Sequence, residues 1–461
     1  MSESTRVDAV VVGAGTAGLK AFTELRRRGL STLLVDHGPL GTTCARVGCM
    51  PSKAVLHAGR QWADLRALAG GAQLPPPVHG PDALWRHARR TRDRLAADTV
   101  ELTKRVAGDA LVMGSARFTG PDTLDVDGRA IRAGAFVVAT GSRPVVPPAL
   151  QLPRERLLTT DTLFELETLP ARVGILGLGA IGLEIGLALS RLGVRVVAGD
   201  LKPLPAGIAD PEVGARAIAR FATELTMWLG RPVEAGLAGN AIEMRSGDDR
   251  AEVDVVIAAL GRRPELAALD LRAAGVALDP QGRPAPDPRS LRVGTSRVFL
   301  AGDASNLRPL MHEASDEGAI AAAAAAQSLD GEIDVAALPS RRTPLAIVFS
   351  DPDVASVGRG WNDLDPDRTI VGTALGTANG RSRVIGETGN LLRVYASRRS
   401  GRLLGASLVC SHGEHLAHLI AWAIQRRETV DALLEMPFYH PSIEEMLQSA
   451  LKDAARRRAG R

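Results

Sequence analysis

The sequence is poor in cysteine, in aromatic residues and in lysine, and each shortage excludes a class of protein. Three cysteines in 461 residues cannot build the crosslinked framework of a small secreted scaffold. Phe, Trp and Tyr together make up 3% of the chain, so no basic surface interleaved with aromatics is present to read nucleic acid. Only five of the 56 basic residues are lysine, and 52 acidic residues leave a net charge of +4. That balance gives no strong field for a polyanionic partner. The run Arg456-Arg457-Arg458 reads as a solvated helix end. Nothing approaches the roughly 18 consecutive apolar residues of a membrane-spanning helix. The opening MSESTRVDAV has neither a basic n-region nor a cleavage site, so a cytoplasmic location is expected. What remains is 45% hydrophobic and 23% charged, an ordinary globular composition that excludes disorder, collagen and coiled coil. The length fits about three domains.

An internal repeat organises the chain. Residues 8–18 read DAVVVGAGTAG and residues 172–182 read RVGILGLGAIG. Each is an apolar strand followed by three glycines that open a helix: Gly13, Gly15 and Gly18, then Gly177, Gly179 and Gly182. The first glycine permits the tight turn, the second lets backbone approach a diphosphate, and the third lets helix and strand pack closely. The diphosphate then meets free N–H groups at the helix N-terminus. A single such motif is weak evidence, whereas two in the same strand–turn–helix–strand setting are strong. Asp36 and Asp200 each end the next strand, 18 residues past the third glycine. A carboxylate there accepts from ribose hydroxyls and repels a 2′-phosphate, which favours NAD over NADP at the second site. Lys202 argues modestly the other way.

Other landmarks follow in order. PPPVHG at 75–80 is a connector before a charged helix at about 81–106. The strands FVVATGSRP (136–144) and VVIAALGRRP (255–264) resemble each other and read as the exits of the two nucleotide-binding domains. RVFLAGDAS (297–305) runs to Asp303. From about 341 the texture changes to strands such as TPLAIVFSDPDVASVG (343–358), then helices, with no nucleotide fingerprint. The expected fold is α/β: two Rossmann-like FAD/NAD(P)-binding domains and a C-terminal α+β dimerisation domain. The expected boundaries are 1–147 and 266–336 for FAD, 148–265 for NAD and 341–461 for dimerisation.

Between Asp36 and the next helix lies GTTCARVGCMPSK, residues 41–53. The Cys44-x₄-Cys49 spacing does not match a zinc knuckle, and no second pair exists. One helical turn would bring the two sulfurs within reach of a disulfide. A dithiol just after a dinucleotide-binding start can trade two electrons with a flavin. The competing reading is two unrelated buried thiols. Cys410 stands alone and reads as a small packed hydrophobe.

These motifs, with FYHPSIEEM at 438–446, resemble the class I pyridine nucleotide-disulfide oxidoreductases, which are FAD enzymes. The likeness spans essentially the whole chain. It points to the dihydrolipoyl dehydrogenase-like branch, whose redox segment also reads TTCARVGCMPSK. The resemblance implies that Cys49 forms the charge-transfer thiolate and Cys44 exchanges with a dithiol substrate. It implies that Lys53 sits near flavin N5 and pairs with Glu184, and that Thr43 also lies at the cofactor. Asp303 is implied on the ribityl chain, Met311 and His312 near the flavin, Thr140, Gly141 and Ala116 on the FAD adenosine side, and Gly261 on the NAD side. His440 and Glu445 resemble the family's acid–base pair, in which a carboxylate fixes the imidazole that takes the thiol proton. In the family this His serves the other subunit, so a homodimer with shared active sites is implied.

The expected reaction is dihydrolipoamide + NAD = lipoamide + NADH, with FAD and NAD as cofactors. A reductase of another disulfide and a non-catalytic flavoprotein are the alternatives; the latter predicts loss of Cys44, Cys49, His440 or Glu445, and all four are present. Mercuric reductase needs a C-terminal cysteine pair that is absent. Glutathione reductase-like enzymes favour basic residues where Asp200 and Leu201 stand. No lipoyl-carrier segment is visible, so any lipoyl group belongs to a separate protein. Arg46 places a permanent charge in the redox segment, where it could lower a thiol pKa or select an acidic substrate. His412, Glu414, His415 and His418 look ligand-like but form no zinc-enzyme motif. Packing is expected there and no metal; no nucleic acid or membrane partner is expected either.

Overall fold

The computed structural model describes residues 5–72 and 80–460, and the chain folds as two compact units. The expected connector at 75–80 lies outside the described residues except for Gly80.

The first unit comprises residues up to Pro51, Arg89–Val145 and Arg262–Arg341. Its sheet runs in the order Leu111–Met113, Thr32–Asp36, Thr5–Val12, Arg129–Val138, Thr123–Val126, Ala116–Gly120, and Val298–Leu300 also pairs with Arg129–Val138. The strands Thr5–Val12, Thr32–Asp36 and Val298–Leu300 are parallel to their neighbours. The last two strands form an antiparallel hairpin arrangement. Parallel strands are covered on both faces, so they read as continuous apolar runs. Period-two alternation divides those runs between two cores. Val10, Val12, Phe136, Val138, Val298 and Leu300 face one core; Ala9, Val11, Ala135, Val137 and Phe299 face the other. The second core is covered by helices Thr16–Arg27 and Met311–Asp330. The latter carries a buried run, Ile320–Ala325, in which alanine favours the helix and its small side chain permits close approach. At Gly318 a Cβ would stand 2.4 Å from the Ala17 carbonyl oxygen.

The second unit comprises Ser52–Ala88, Val146–Gly261 and the chain from Arg342 onward. A parallel sheet runs in the order Thr226–Leu229, Arg195–Asp200, Arg172–Leu176, Val255–Ala258, Leu157–Leu158. A separate antiparallel sheet has Glu234–Ala238, Ala241–Ser246 and Asp249–Val253. The third is a five-stranded antiparallel sheet: Leu345–Val348, Asp353–Gly358, Leu403–Cys410, Leu391–Ser397, Thr369–Leu375. Helix Glu445–Arg458 lies so close on its edge strand that a Cβ at Gly372 would be 2.1 Å from the Ala450 carbonyl oxygen. Asp210 caps helix Pro211–Phe221 and also accepts from Arg393 and the Tyr395 hydroxyl, each at 2.6 Å. Removing one partner from so buried an ionic cluster typically costs about 3–5 kcal/mol. The mixed α/β architecture is the one expected from the repeat. Among the described residues, no helix is long and apolar enough to cross a membrane.

Candidate active site

The two glycine motifs fold alike. Gly13 and Gly177 have φ of +104° and +93°, a region that favours glycine. A Cβ at Gly18 would lie 1.8 Å from the Gly13 carbonyl oxygen, and one at Gly182 would lie 1.9 Å from that of Gly177. The third glycine therefore seats the helix on the turn in both copies. The helices Thr16–Arg27 and Ala180–Arg191 begin after Gly15 and Gly179, with no side-chain cap and no acid in the first turn. Their first N–H groups stay available for an anion. Asp36 Oδ2 accepts from Ala14 N at 2.7 Å and its Oδ1 from Gly38 N at 2.6 Å. Asp200 repeats this with Leu178 N at 2.7 Å and Lys202 N at 2.8 Å. Each carboxylate thus ties the fingerprint turn to the end of its strand, and each oxygen keeps a second lone pair for a ribose hydroxyl.

These cradles fit dinucleotides on internal grounds. The Thr140 Oγ1 atom is shielded from solvent and has no hydrogen-bond partner, a cost that a bound polar group would remove. Gly179 has nothing within 4 Å of a notional Cβ. Gly179→Ala is therefore expected to leave the melting temperature unchanged while weakening NAD(H) binding at least about tenfold through steric contact with the diphosphate. Unchanged NADH titrations of this variant would place the ligand elsewhere.

Thr43 and Cys44 lie in a four-residue helix, Thr43–Arg46, while Cys49 opens the helix Cys49–Ala72. The chain breaks between them at Val47 and Gly48, so the expected single helical turn is replaced by two short-range segments. Gly48 makes their approach possible: a Cβ there would lie 3.2 Å from Cys44 Cα. Both cysteines are half-buried. Arg46 packs its stem over Gly41, and its Nη1 donates to the Pro39 carbonyl at 3.2 Å. Its charge is engaged along its own loop.

Lys53 Nζ donates to both Glu184 carboxylate oxygens at 2.8 Å. Glu184 is buried, and Phe349 N and Ser52 Oγ complete its partners at 3.0 and 3.3 Å. Lys53 Nζ also stands 4.7 Å from the centroid of the Phe349 ring, a cation–π distance. Residues 131 positions apart are thus joined, as the resemblance implies. Phe349 is a contributor that no motif signals.

His440 Nδ1 stands 3.0 and 3.1 Å from the two Glu445 oxygens. Ser442 N donates to Glu445 Oε2 at 3.0 Å. The Ser442 N–H and then the His440 hydrogen bond hold the Glu445 carboxyl below the usual range. With Nδ1 engaged, Nε2 of the exposed ring is left to exchange protons.

Asp303 sits on the turn Gly302–Ser305, where Ser142 Oγ donates to it at 2.5 Å and Arg262 Nε lies 4.0 Å away. Glu317 secures this turn. Its Oε2 accepts from Gly302 N and Ser305 Oγ at 2.8 Å, and its Oε1 from Arg341 at 2.7 Å; burial pushes its carboxyl up. The two look-alike exits meet here, since Ser142–Pro144 pairs antiparallel with Arg262–Pro264. Their shared Arg-Pro endings were the signal for Ser142 and Arg262. Gly141 and Gly261 precede these strands with φ of +73° and +98°. Met311 and His312 are exposed in the first turn of helix Met311–Asp330, and Ala116 opens the strand Ala116–Gly120. Cys410 is buried, which pushes its thiol far up, as a packed hydrophobe requires. His412, Glu414 and His415 converge, with one ligand atom from each within 4.8 Å of the others.

Comparison with known proteins agrees with this geometry. Residues 7–318 match the model of the pyridine nucleotide-disulphide oxidoreductases, and residues 345–451 match that family's dimerisation domain. The dihydrolipoyl dehydrogenase of Halobacterium salinarum is 30% identical, covering 98% of this chain and 97% of the relative. That of Synechocystis is 28% identical over 98% and 100%. Mercuric reductase from Staphylococcus aureus is 26% identical over 93% of this chain and 79% of its own length. Among solved structures, LpdA from Mycobacterium tuberculosis superposes with a TM-score of 0.83 at 23% identity, covering 97% of this chain and 99% of that one. The repeated cradles, the dithiol segment and these full-length matches lead to one assignment: the chain belongs to the pyridine nucleotide-disulphide oxidoreductase family, enzymes that work with FAD and a pyridine nucleotide.

Proposed function

We propose that the protein oxidises dihydrolipoamide with NAD, giving lipoamide and NADH through a Cys44–Cys49 redox disulfide. The observation that carries this reading is the His440–Glu445 pair, which leaves Nε2 exposed for a thiol proton. The substrate dithiol attacks Cys44 Sγ as a thiolate, forming a mixed disulfide and releasing the Cys49 thiolate. The second substrate thiol, deprotonated by His440, then attacks the substrate sulfur in the mixed disulfide. Lipoamide closes its ring and both cysteines are left reduced. Glu445 holds the imidazole in the tautomer that accepts at Nε2 and supports the cation once it forms. Bound FAD supplies the two-electron relay between the dithiol and NAD.

Lys53, oriented by Glu184 and the Phe349 ring, serves the cofactor side, while Asp303 is fixed for a hydroxylated chain by Ser142 and by the turn that Glu317 holds. Asp36 and Asp200 serve the two riboses, and Asp200 supports NAD over NADP. The same reading assigns 1–147 and 266–336 to FAD, 148–265 to NAD and 341–461 to dimerisation. It also takes the protein as a homodimer in which His440 works on the partner's disulfide. The exposure of Tyr439 (85%) and Met436 (52%) beside His440 supports that arrangement. Any lipoyl group comes on a separate protein.

The test is NADH formation by the purified holoprotein from dihydrolipoamide, with NAD and NADP in parallel. Turnover with NAD, at least about tenfold above NADP, is expected. A flavin that is reduced by NADH in a protein inert toward dihydrolipoamide would move the assignment to another disulfide.

A further inference from the structure

The strand Leu403–Cys410 pairs with Asp353–Gly358, and the chain then turns through Ser411 and His412 into helix Gly413–Gln425. His412 is the N-cap and takes a left-handed backbone with φ of +54°. Gly413 permits the tight passage, since a Cβ there would stand 2.9 Å from that of Asp353. The turn brings Glu414 within reach of His412 and His415, which its place in a regular helix would not. The rings of His412 and His415 are parallel within 2° with centroids 6.0 Å apart, and His415 Nε2 is 3.8 Å from Glu414 Oε1.

Two features separate this cluster from ordinary surface packing. Both imidazoles are exposed, and among the described residues neither makes a hydrogen bond. The basic groups along the adjoining cavity of about 530 Å³ are already committed: Lys53 to Glu184, Arg60 to Asp64 and Asp351, Arg191 to Glu224. Among the described residues no Lys or Arg pairs with Glu414. The buried Asp353 instead holds the Glu414 backbone, accepting from its N–H at 3.2 Å. Fixing the backbone from which a ligand projects is one way an outer shell positions a metal site. His418 is engaged with the Glu414 carbonyl at 2.6 Å and stands outside the set. The helix N-terminus opposes a cation, and the Glu414 side chain beside it opposes that effect.

We propose that His412, Glu414 and His415 bind one divalent transition-metal cation of the zinc or copper class. Two imidazoles and one carboxylate are the donor set such cations prefer over magnesium or calcium, and three protein ligands leave a coordination position open. This proposal departs from the packing role expected from sequence, because the fold brings Glu414 within reach of both histidines.

The test is calorimetric titration of the full-length, FAD-loaded protein with zinc chloride, without reductant so that the Cys44–Cys49 pair stays oxidised. Metal analysis after dialysis gives the stoichiometry. One equivalent per chain is expected, with His412→Ala and His415→Ala each weakening it at least about tenfold. Both positions are exposed, so the variants should fold, and their flavin spectra check this. The Cys44→Ser/Cys49→Ser double variant should keep the equivalent. No zinc uptake by the unaltered protein, unchanged uptake by the His variants, or uptake lost with the cysteines would each overturn the site.

Discussion

Cys49→Ser is expected to lower kcat/KM for dihydrolipoamide by at least about a thousand-fold, because residues that act as one catalytic unit fail together. A serine hydroxyl is neither a nucleophile nor a leaving group at neutral pH, so no disulfide forms and no two-electron store exists. Cys49 opens a helix with no acid in its first turn, so no carboxylate there opposes the positive end of the helix dipole. The first glycine cradle, with Gly13, Gly15, Gly18, Asp36 and Thr140, does not include it. The variant should therefore purify yellow with a full complement of flavin and an unchanged melting temperature. Steady-state assay beside the flavin absorption spectrum checks both halves. Residual turnover within tenfold of the unaltered enzyme would remove Cys49 from the reaction.

Glu445→Gln is expected to lower kcat by about a hundred-fold, within the range general acid–base catalysis supplies. The amide keeps the shape but loses the charge that supports the imidazolium. It can also present N–H instead of oxygen to Nδ1, spoiling the tautomer. The pH dependence has a definite sign. The Ser442 N–H and the His440 bond lower the carboxyl's pKa in the folded chain. The favourable contribution is therefore complete above its unfolded value of about 4.3 and is lost only as pH falls through the still lower folded value. From about pH 6 to 9 the carboxylate stays ionised, so the deficit of the Gln variant should persist across that whole range. A deficit that vanishes at either end would mean that Glu445 does not act as a fixed charge. His440→Ala should be at least as severe, and a normal rate for it would move the proton acceptor elsewhere.

Much of the framework could be read from the chain because its signals are local. The fingerprint glycines, the strands that follow them and the acids that end those strands lie within one supersecondary unit. The structure repeats even their hydrogen bonds, Asp36 to Ala14 and Gly38, Asp200 to Leu178 and Lys202. The partnership of Lys53 and Glu184 is a different matter. No spacing rule joins residues 131 apart, and only family likeness pointed to it. Phe349, Glu317 and the Asp210 cluster gave no sign at all, since a single acid or aromatic carries no periodicity. Arg46 shows the limit from the other side. Its charge was visible in the redox segment, but the direction of its side chain was not, and the fold turns it onto the Pro39 carbonyl.

The pairing of Ser142–Pro144 with Arg262–Pro264 makes the segment between them a module. Opposed residues in an antiparallel pair have Cα atoms only about 5 Å apart, so the chain departs from the first unit and returns to it through neighbouring points. A stretch whose two ends meet can be exchanged for a related one, or replaced by a short turn, without stretching its host. Val146–Gly261 carries the second glycine motif and Asp200, so a transplanted counterpart would bring its own choice of nucleotide. A counterpart would have to match this six-residue clasp and also the partners that Glu184 and Asp210 meet outside the segment, Lys53 and Phe349 N for the first, Arg393 and Tyr395 for the second. Coenzyme preference would thereby travel with the exchanged segment, provided those partners are refitted along with the clasp.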